Sequence, residues 1–248
     1  MIDLSCIIPA YNEESNVGEM IGDVRRAMNA LGCTYEIIAV DDGSLDGTSE
    51  IINRFVADGD VRLLRHNVNE GYGSAVLTGL TNAKLDYVFF TDSDRQFDLA
   101  ELKTFIEAIE NADLVMGYRA PRRDPFMRKL NGWGWSLIVS MLFGYTGRDI
   151  DCAFKLMRRE VVETLAGKIQ SHGATFSAEF LILAKRTGFR IKELPVRGHR
   201  PRVAGNPTGA NPAVILRAFG ELFKFRLRLL REGQSTEKAR IQSSSVKS

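Results

Sequence analysis

Tyr87-Val-Phe-Phe-Thr-Asp-Ser-Asp-Arg-Gln-Phe97 is the stretch from which the rest of the chain can be read. Tyr87 to Thr91 is a short apolar, β-branched and aromatic run, the composition of a strand buried in a parallel sheet. It ends abruptly in Asp92 and Asp94. In an open α/β sheet, ligands bind just beyond the carboxyl ends of the strands. Two carboxylates placed there repel each other unless a positive charge sits between them. Hard oxygen ligands of this kind suit Mg²⁺ or Mn²⁺, usually shared with the phosphates of a substrate. Taken alone, the pair also has a plainer reading, with Asp92 capping the next helix and Asp94 solvated. Residues elsewhere in the chain decide between the two.

On the N-terminal side, strands are expected at Leu4 to Pro9, Tyr35 to Val40 and Val61 to Leu64. A helical stripe of Val17, Met20, Ile21, Val24, Met28 and Leu31 follows the first. Asn12 is its expected N-cap, with Glu13 and Glu14 in the first turn, where the helix dipole favours negative charge. The second helix begins near Thr48, and Gly71-Tyr-Gly73 opens a third that runs to Asn82. On the C-terminal side, Asp98-Leu-Ala-Glu101 reads as a capping box, and Leu114 to Met116 as a fifth strand. This strand-helix rhythm predicts an α/β fold with a doubly wound, mostly parallel sheet flanked by helices.

Beyond Gly117 the rhythm changes. Arg119, Arg122, Arg123, Arg128 and Lys129 crowd into one segment, followed by an apolar helix from Leu130 to Phe143. Phe176 to Thr187 reads as a helix and Ile191 to Val196 as a strand. Asn211-Pro212 offers an N-cap with proline at the first helical position, for a last helix ending near Arg231. Gln234 to Ser248 is polar and Ser-rich, the composition of a disordered tail.

With 248 residues, 44% hydrophobic and 26% charged, the chain suits one sizeable soluble α/β domain or two small ones. Cys6, Cys33 and Cys152 are widely spaced with no C-x-x-C, which argues for a reducing compartment and against a disulfide framework or zinc site. The chain runs directly into its first strand, so no signal peptide is expected. The longest apolar run, Leu137 to Phe143, is far short of the roughly 18 residues of a membrane span. Gly71-Tyr-Gly73 lacks the third glycine of a dinucleotide loop. No nucleic-acid-binding module is present either.

The ends of strands one, two and four carry Pro9-Ala-Tyr-Asn-Glu13, Asp41-Asp-Gly-Ser44 and Asp92-Ser-Asp94. In a parallel sheet these loops converge on one edge. Tyr11 offers a flat ring for a base, Asp42 an acceptor for base or ribose donors, and Asp92 with Asp94 a grip on a cation bridging a diphosphate. Each piece is weak alone, since Asp-Gly-Ser is also a common turn. The set is far less ordinary.

On Pro9-Ala-Tyr-Asn-Glu-Glu14, Val40-Asp-Asp-Gly-Ser44 with Asp46-Gly-Thr48, and Thr91-Asp-Ser-Asp94, the chain resembles the inverting glycosyltransferases of family 2, with the GT-A fold. The resemblance runs from Leu4 to Phe225. Within that family it is most similar to the dolichyl- or polyprenyl-phosphate mannosyl- and glucosyltransferases. The supporting matches are Gly71-Tyr-Gly-Ser-Ala75, Gly117-Tyr-Arg119, Asp149 to Lys155, and His199-Arg-Pro-Arg-Val-Ala-Gly205.

The resemblance implies that Pro9, Tyr11, Glu13, Val40 and Asp42 contact the nucleotide. It places the cation and diphosphate on Asp92, Asp94 and Gln96, with Ser93 alongside, and phosphate groups on Arg119 and Arg202. The implied reaction moves a hexose from a nucleotide-diphosphate sugar to a polyprenyl phosphate with Mg²⁺ or Mn²⁺, at the cytoplasmic face of a membrane. Two positions depart from the pattern. Gly205-Asn-Pro-Thr208 lacks the lysine of Gly-x-Ser-Lys, and Lys155 stands where arginine is usual, losing bidentate geometry. The donor therefore stays open between GDP-mannose, UDP-glucose and others.

An ionised lipid phosphate needs no dedicated general base, and none is assigned. Arg128 is the best candidate after Arg119 for the acceptor phosphate. Glu179 is expected either to orient the acceptor or a basic side chain, or to be a solvated helix residue. His66, His172 and His199 show no metal-ligand spacing. In the last helix, Leu216, Phe219, Phe223, Leu227 and Leu230 form an apolar stripe beside Arg217, Lys224, Arg228 and Arg231. Such a helix suits either a membrane surface or packing against the domain.

The expected layout is a nucleotide-sugar half over residues 1–117, an acceptor half over 118–210, the basic helix over 211–232 and the tail over 233–248. Two rival functions remain at this level: transfer to a soluble or polysaccharide acceptor, and a catalytically silent membrane-associated scaffold. A membrane-embedded partner is left open.

Overall fold

Strands with unbroken apolar runs must be covered on both faces, and the computed structural model arranges them so. It describes residues 2–120, 126–200 and 217–232, with backbone alone for 126–131. In chain order the elements are β1 (Asp3–Ala10), α1 (Val17–Leu31), β2 (Thr34–Asp41), α2 (Thr48–Val56), β3 (Val61–Arg65), α3 (Tyr72–Thr81) and β4 (Tyr87–Thr91). Then come α4 (Leu102–Ile109), β5 (Leu114–Arg119), α5 (Phe126–Phe143), β6 (Phe154–Arg158), α6 (Arg159–Leu165), α7 (Phe176–Thr187) and β7 (Ile191–Val196). A helix over 217–232, here α8, closes the described chain.

The seven strands form one sheet in the order β3-β2-β1-β4-β6-β5-β7. Strands β3, β2, β1 and β4 are parallel neighbours, and β5 pairs parallel with β7. Strand β6 runs antiparallel to both β4 and β5. Successive residues face opposite sides. Thus Ile7, Ile38 and Phe90 join α3, α6, α7 and α8 in one core layer. Cys6, Ile8, Ile37 and Phe89 join α1 and α4 in the other. Phe154 of β6 anchors that second layer, with its ring centroid 4.8 Å from those of Phe89 and Phe105.

The antiparallel strand is a departure from expectation. Its sequence, Phe-Lys-Leu-Met-Arg, is short and has a lysine at its second position, so it did not read as a buried strand. Lys155 lies opposite Phe90 of β4 and is only 1% exposed. Its Nζ donates to the Ile150 carbonyl at 3.1 Å and also to the Cys152 carbonyl, which makes burial of the ammonium tolerable.

Three local expectations are corrected. Asn12 does not cap α1, which starts at Val17; it adopts φ +52°. Its side-chain oxygen instead accepts from the Leu45 N–H at 2.9 Å, joining the loop after β1 to the loop after β2. Asp98 does cap its helical turn, accepting from the Ala100 N–H at 3.1 Å. Glu101, however, accepts from the Arg197 N–H at 2.9 Å rather than closing a capping box.

The last helix is the third case. Ala218, Leu222, Phe225 and Leu229 are its buried face, while Phe223, Leu227 and Leu230 are exposed. It is therefore apolar on two sides and packs on the domain with one of them. Asn211, Pro212 and Leu216 lie outside the described residues, as do the stretch 201–210 and the tail from residue 233.

Candidate active site

The parallel order β2-β1-β4 brings the carboxyl ends of these three strands together, as their sequences predicted. The first two loops are laced by backbone donors. The Asn12 N–H reaches Ser44 Oγ at 2.9 Å, the Glu13 N–H reaches Thr48 Oγ1 at 2.8 Å, and the Asp42 N–H reaches the Ala10 carbonyl at 2.9 Å. Tyr11 stays exposed on this edge. Pro9 and Val40 face each other across β1 and β2 and are buried in the sheet. Glu13 is buried, and its carboxylate accepts from Asn16 Nδ2 at 2.7 Å.

Asp42 is engaged within the protein. Its Oδ1 lies 2.7 Å from His66 Nδ1 and accepts from the Glu70 N–H, while Oδ2 accepts from the Gly71 N–H, both at 2.9 Å. Asp41 accepts from the Ser44 N–H at 2.9 Å and from the Ser49 hydroxyl. The two aspartates thus shape the loops on either side of the strand end.

At the end of β4, Ser93, Asp94 and Gln96 are buried. The Tyr72 hydroxyl donates to Asp92 Oδ1 at 3.1 Å. Burial first, and Asp94 second, push the Asp92 carboxyl up from 3.8 to about 7. Tyr72, Lys155 and Arg119 act in the opposite direction without cancelling the effect. Burial, then Asp92, keeps the Tyr72 phenol well above its ordinary range, so it remains a donor. Gln96 Nε2 donates to the Arg200 carbonyl at 3.1 Å, and the Arg200 N–H returns to the Gln96 carbonyl at 2.7 Å.

Arg119 was expected on phosphate. Its Nε and Nη2 here fork onto Asp149 at 2.7 and 2.8 Å, and its own N–H donates to the same carboxylate at 3.1 Å. Glu179 is not a solvated helix residue: it is 1% exposed. Its carboxylate accepts from the Gln170 N–H at 3.2 Å, the Ser171 N–H at 2.8 Å and the Arg228 guanidinium. Of the two sequence alternatives, orienting a basic side chain is the one the contacts match. His199 is buried, with its ring 5.6 Å from that of Phe97. Arg202, the side chain of Arg128 and the Gly205 to Thr208 departure lie outside the described residues.

Sequence reasoning missed Tyr72 as a neighbour of Asp92, and assigned no task to Asp149 or Lys155. The signal for Tyr72 lay in the two glycines beside it, whose need for close packing is a tertiary matter.

The residues present fit a divalent cation. Asp94 is buried and Asp92 half-buried, and the repulsion by which Asp94 raises the Asp92 carboxyl is the kind of charge that such an ion neutralises. Among the described residues no group of three or more His, Cys, Asp or Glu surrounds a cation position. Two carboxylates completed by phosphate oxygens are a usual way to hold Mg²⁺.

Because a bound cation requires ionised ligands, it competes with the proton on Asp92. Mn²⁺ affinity is expected to rise about tenfold per pH unit up to about pH 7 and to level off above it. An Mn²⁺ titration that is flat with pH across that window would contradict the pairing. In the metal-free protein this raised carboxyl is expected to contribute a loss of stability as pH climbs from 3.8 to about 7, where the charge is forced on.

Comparison with known proteins agrees with this geometry. Residues 5–166 match the family model described as glycosyl transferase family 2. A dolichyl-phosphate beta-glucosyltransferase of Dictyostelium discoideum is 30% identical over 79% of this chain and 66% of its own length. An undecaprenyl-phosphate 4-deoxy-4-formamido-L-arabinose transferase of Yersinia pestis is 30% identical over 82% of this chain and 61% of its own. The chain thus spans about two thirds of these relatives.

Glucosyl-3-phosphoglycerate synthase of Mycobacterium tuberculosis, crystallised with Mn²⁺ and UDP, superposes with TM-score 0.66 at 21% identity. That match covers 90% of this chain and 80% of the synthase, and it establishes the shared GT-A-like fold. With the family model covering most of the sheet and all three strand-end loops, the chain belongs to glycosyl transferase family 2.

Proposed function

We propose that this glycosyltransferase moves a hexose from a nucleotide-diphosphate sugar to a polyprenyl phosphate, with inversion, at the cytoplasmic face of a membrane. The observation that carries the reading is the Asp92 and Asp94 pair, half-buried and buried in turn, at the convergence of three strand-end loops. Mg²⁺ or Mn²⁺ held there would neutralise the charge that builds on the leaving diphosphate. Asp92, Asp94 and Gln96 would hold the ion, with Ser93 alongside. Tyr11 stacks on the base, and Pro9, Glu13, Val40 and Asp42 shape the nucleotide edge. Arg119, kept in place by Asp149, contributes a fixed positive charge near Asp92. Arg202 and Arg128 are proposed for phosphate groups of donor and acceptor. Glu179 serves the acceptor half indirectly, through Arg228. The acceptor phosphate attacks as an already ionised oxygen, so no side chain has to remove a proton.

Two features support a lipid acceptor. The two named relatives carry dolichyl phosphate and undecaprenyl phosphate in their names. In addition, α5 and α8 pack together through Trp135 on Phe219 and Phe143 on Phe225. Side by side they leave Trp133, Leu137 and Met141, and Phe223, Leu227 and Leu230, exposed. Arg217, Lys224 and Arg231 flank the second group. Apolar side chains beside basic ones suit the headgroup layer of an anionic bilayer. No helix among the described residues is long and apolar enough to cross a membrane.

The test is transfer of labelled sugar from UDP-glucose and GDP-mannose, with Mn²⁺, to a polyprenyl phosphate in anionic vesicles or to water-soluble phosphorylated acceptors. The expected result is label in the organic phase with one donor. Label only in soluble product would reject the lipid acceptor, and no transfer from any sugar nucleotide would reject the whole reading.

A further inference from the structure

The hydroxyl that meets Asp92 comes from outside the Asp-x-Asp strand, from a residue whose flanking backbone is held on two sides. Tyr72 is the first residue of α3, and its neighbours are pinned from two sides. From β2, the Asp42 carboxylate holds the Glu70 and Gly71 N–H groups at 2.9 Å. From the segment before α7, the His172 carbonyl accepts from the Ser74 N–H at 3.2 Å, and His172 Nδ1 lies 2.7 Å from Ser74 Oγ.

The fit there leaves no space for a side chain. A Cβ on Gly73 would stand 2.7 Å from Phe176 Cβ and 2.9 Å from the Gly173 carbonyl oxygen, and Gly71 takes φ +102°. The segment is in turn fastened to α8, because Glu221 accepts from the Thr175 hydroxyl and Arg228 meets the Glu179 that holds Gln170 and Ser171. Three separate parts of the fold therefore converge to fix the backbone on either side of Tyr72, whose own side chain is 36% exposed and meets Asp92 through its hydroxyl.

We propose that Tyr72 is the positioning residue of the cation site, aiming the Asp92 carboxylate through its hydroxyl. The proposal rests on the reading of Asp92 as a cation ligand. Partners that orient a ligand, without touching the ion, set ring and carboxylate geometry, and losing one typically costs about 10- to 100-fold in affinity. Tyr72 meets the requirements for such a partner. Its hydroxyl has one donor, Asp92 Oδ1 accepts it, and the backbone that carries it is packed too tightly to drift. The glycines on either side follow from the same requirement, since they let α3 start hard against the 172–176 segment. They are packing glycines and not a phosphate loop.

The experiment uses the full chain, Tyr72→Phe, and Mn²⁺ alone, with free Mn²⁺ followed by electron paramagnetic resonance at about pH 8, where the Asp92 proton competes least. The phenylalanine keeps the ring and removes only the hydroxyl. The expected result is Mn²⁺ affinity lowered about tenfold or more, with an altered spectrum of the bound ion and an unchanged thermal midpoint in EDTA. An affinity equal to the parent's overturns the proposal. So does a lowered affinity with a lowered midpoint in EDTA, which marks a packing role. If the parent protein itself binds no Mn²⁺, with or without UDP or GDP, the cation reading falls and this proposal falls with it. Binding by the parent with no change in Tyr72→Phe removes only the role of Tyr72.

Discussion

Asp94→Asn is expected to lower sugar transfer by about a thousandfold in kcat/KM, the scale of the several kcal/mol that a cation supplies to a developing charge. The replacement keeps the shape and removes one of the two negative charges that make the site hold an ion. What separates this from damage to the fold is the stability of the metal-free protein. Asp94 is the second cause, after burial, of the raised Asp92 carboxyl. Two such charges together burden the folded state at about pH 8, so removing one should leave the thermal midpoint in EDTA equal or higher. Initial rates with saturating Mn²⁺ and melting curves in EDTA check both halves. Full activity in a well-folded Asp94→Asn protein would remove the acidic pair from the reaction. Inactivity of the parent and the variant alike would instead restore the silent-scaffold rival.

The second large effect is on stability. Glu179→Leu takes away a carboxylate that is 1% exposed and on which the Gln170 and Ser171 N–H groups and the Arg228 guanidinium converge. Arg228 keeps only 19% of its side chain in solvent, so its charge would be left largely buried without this partner. Removing one member of a buried pair costs about 3–5 kcal/mol, and for a chain of this size that is about 10 °C in thermal midpoint. Arg228→Met should cost less, because Glu179 retains its two backbone donors. A denaturant series on both variants tests the ranking. Equal and small losses would show that the pair is solvent-relaxed, and would loosen the tie between α8 and the segment before α7.

The same two sites mark how far local sequence reaches. Asp92 and Asp94 could be read because their meaning is positional: carboxylates that end a buried strand face the ligand edge in any parallel sheet. The three loops behind Tyr11, Asp42 and Asp94 could be placed together for that reason, and helices such as Phe176–Thr187 follow from apolar spacing alone. Glu179 could not be read, because a helical carboxylate looks alike whether it faces water or an arginine 49 residues away. Asn12 looked like a helix cap because asparagine suits both caps and left-handed turns. Only the Leu45 N–H decides between them.

Strand β6 was hidden by Lys155, since a lysine argues against burial until the Ile150 and Cys152 carbonyls are seen to receive it. The last helix had two apolar faces, and nothing within its sixteen described residues ranks one above the other.

Chain order and residue chemistry were thus enough to establish the strand-helix alternation and the acidic end of β4, because side-chain period and strand-end placement are local properties. Which arginine faces which carboxylate, which face of α8 is covered, and which hydroxyl meets Asp92 were settled by tertiary structure alone. Those contacts join residues far apart in the chain, and a buried charge takes whichever partner the packing brings within reach.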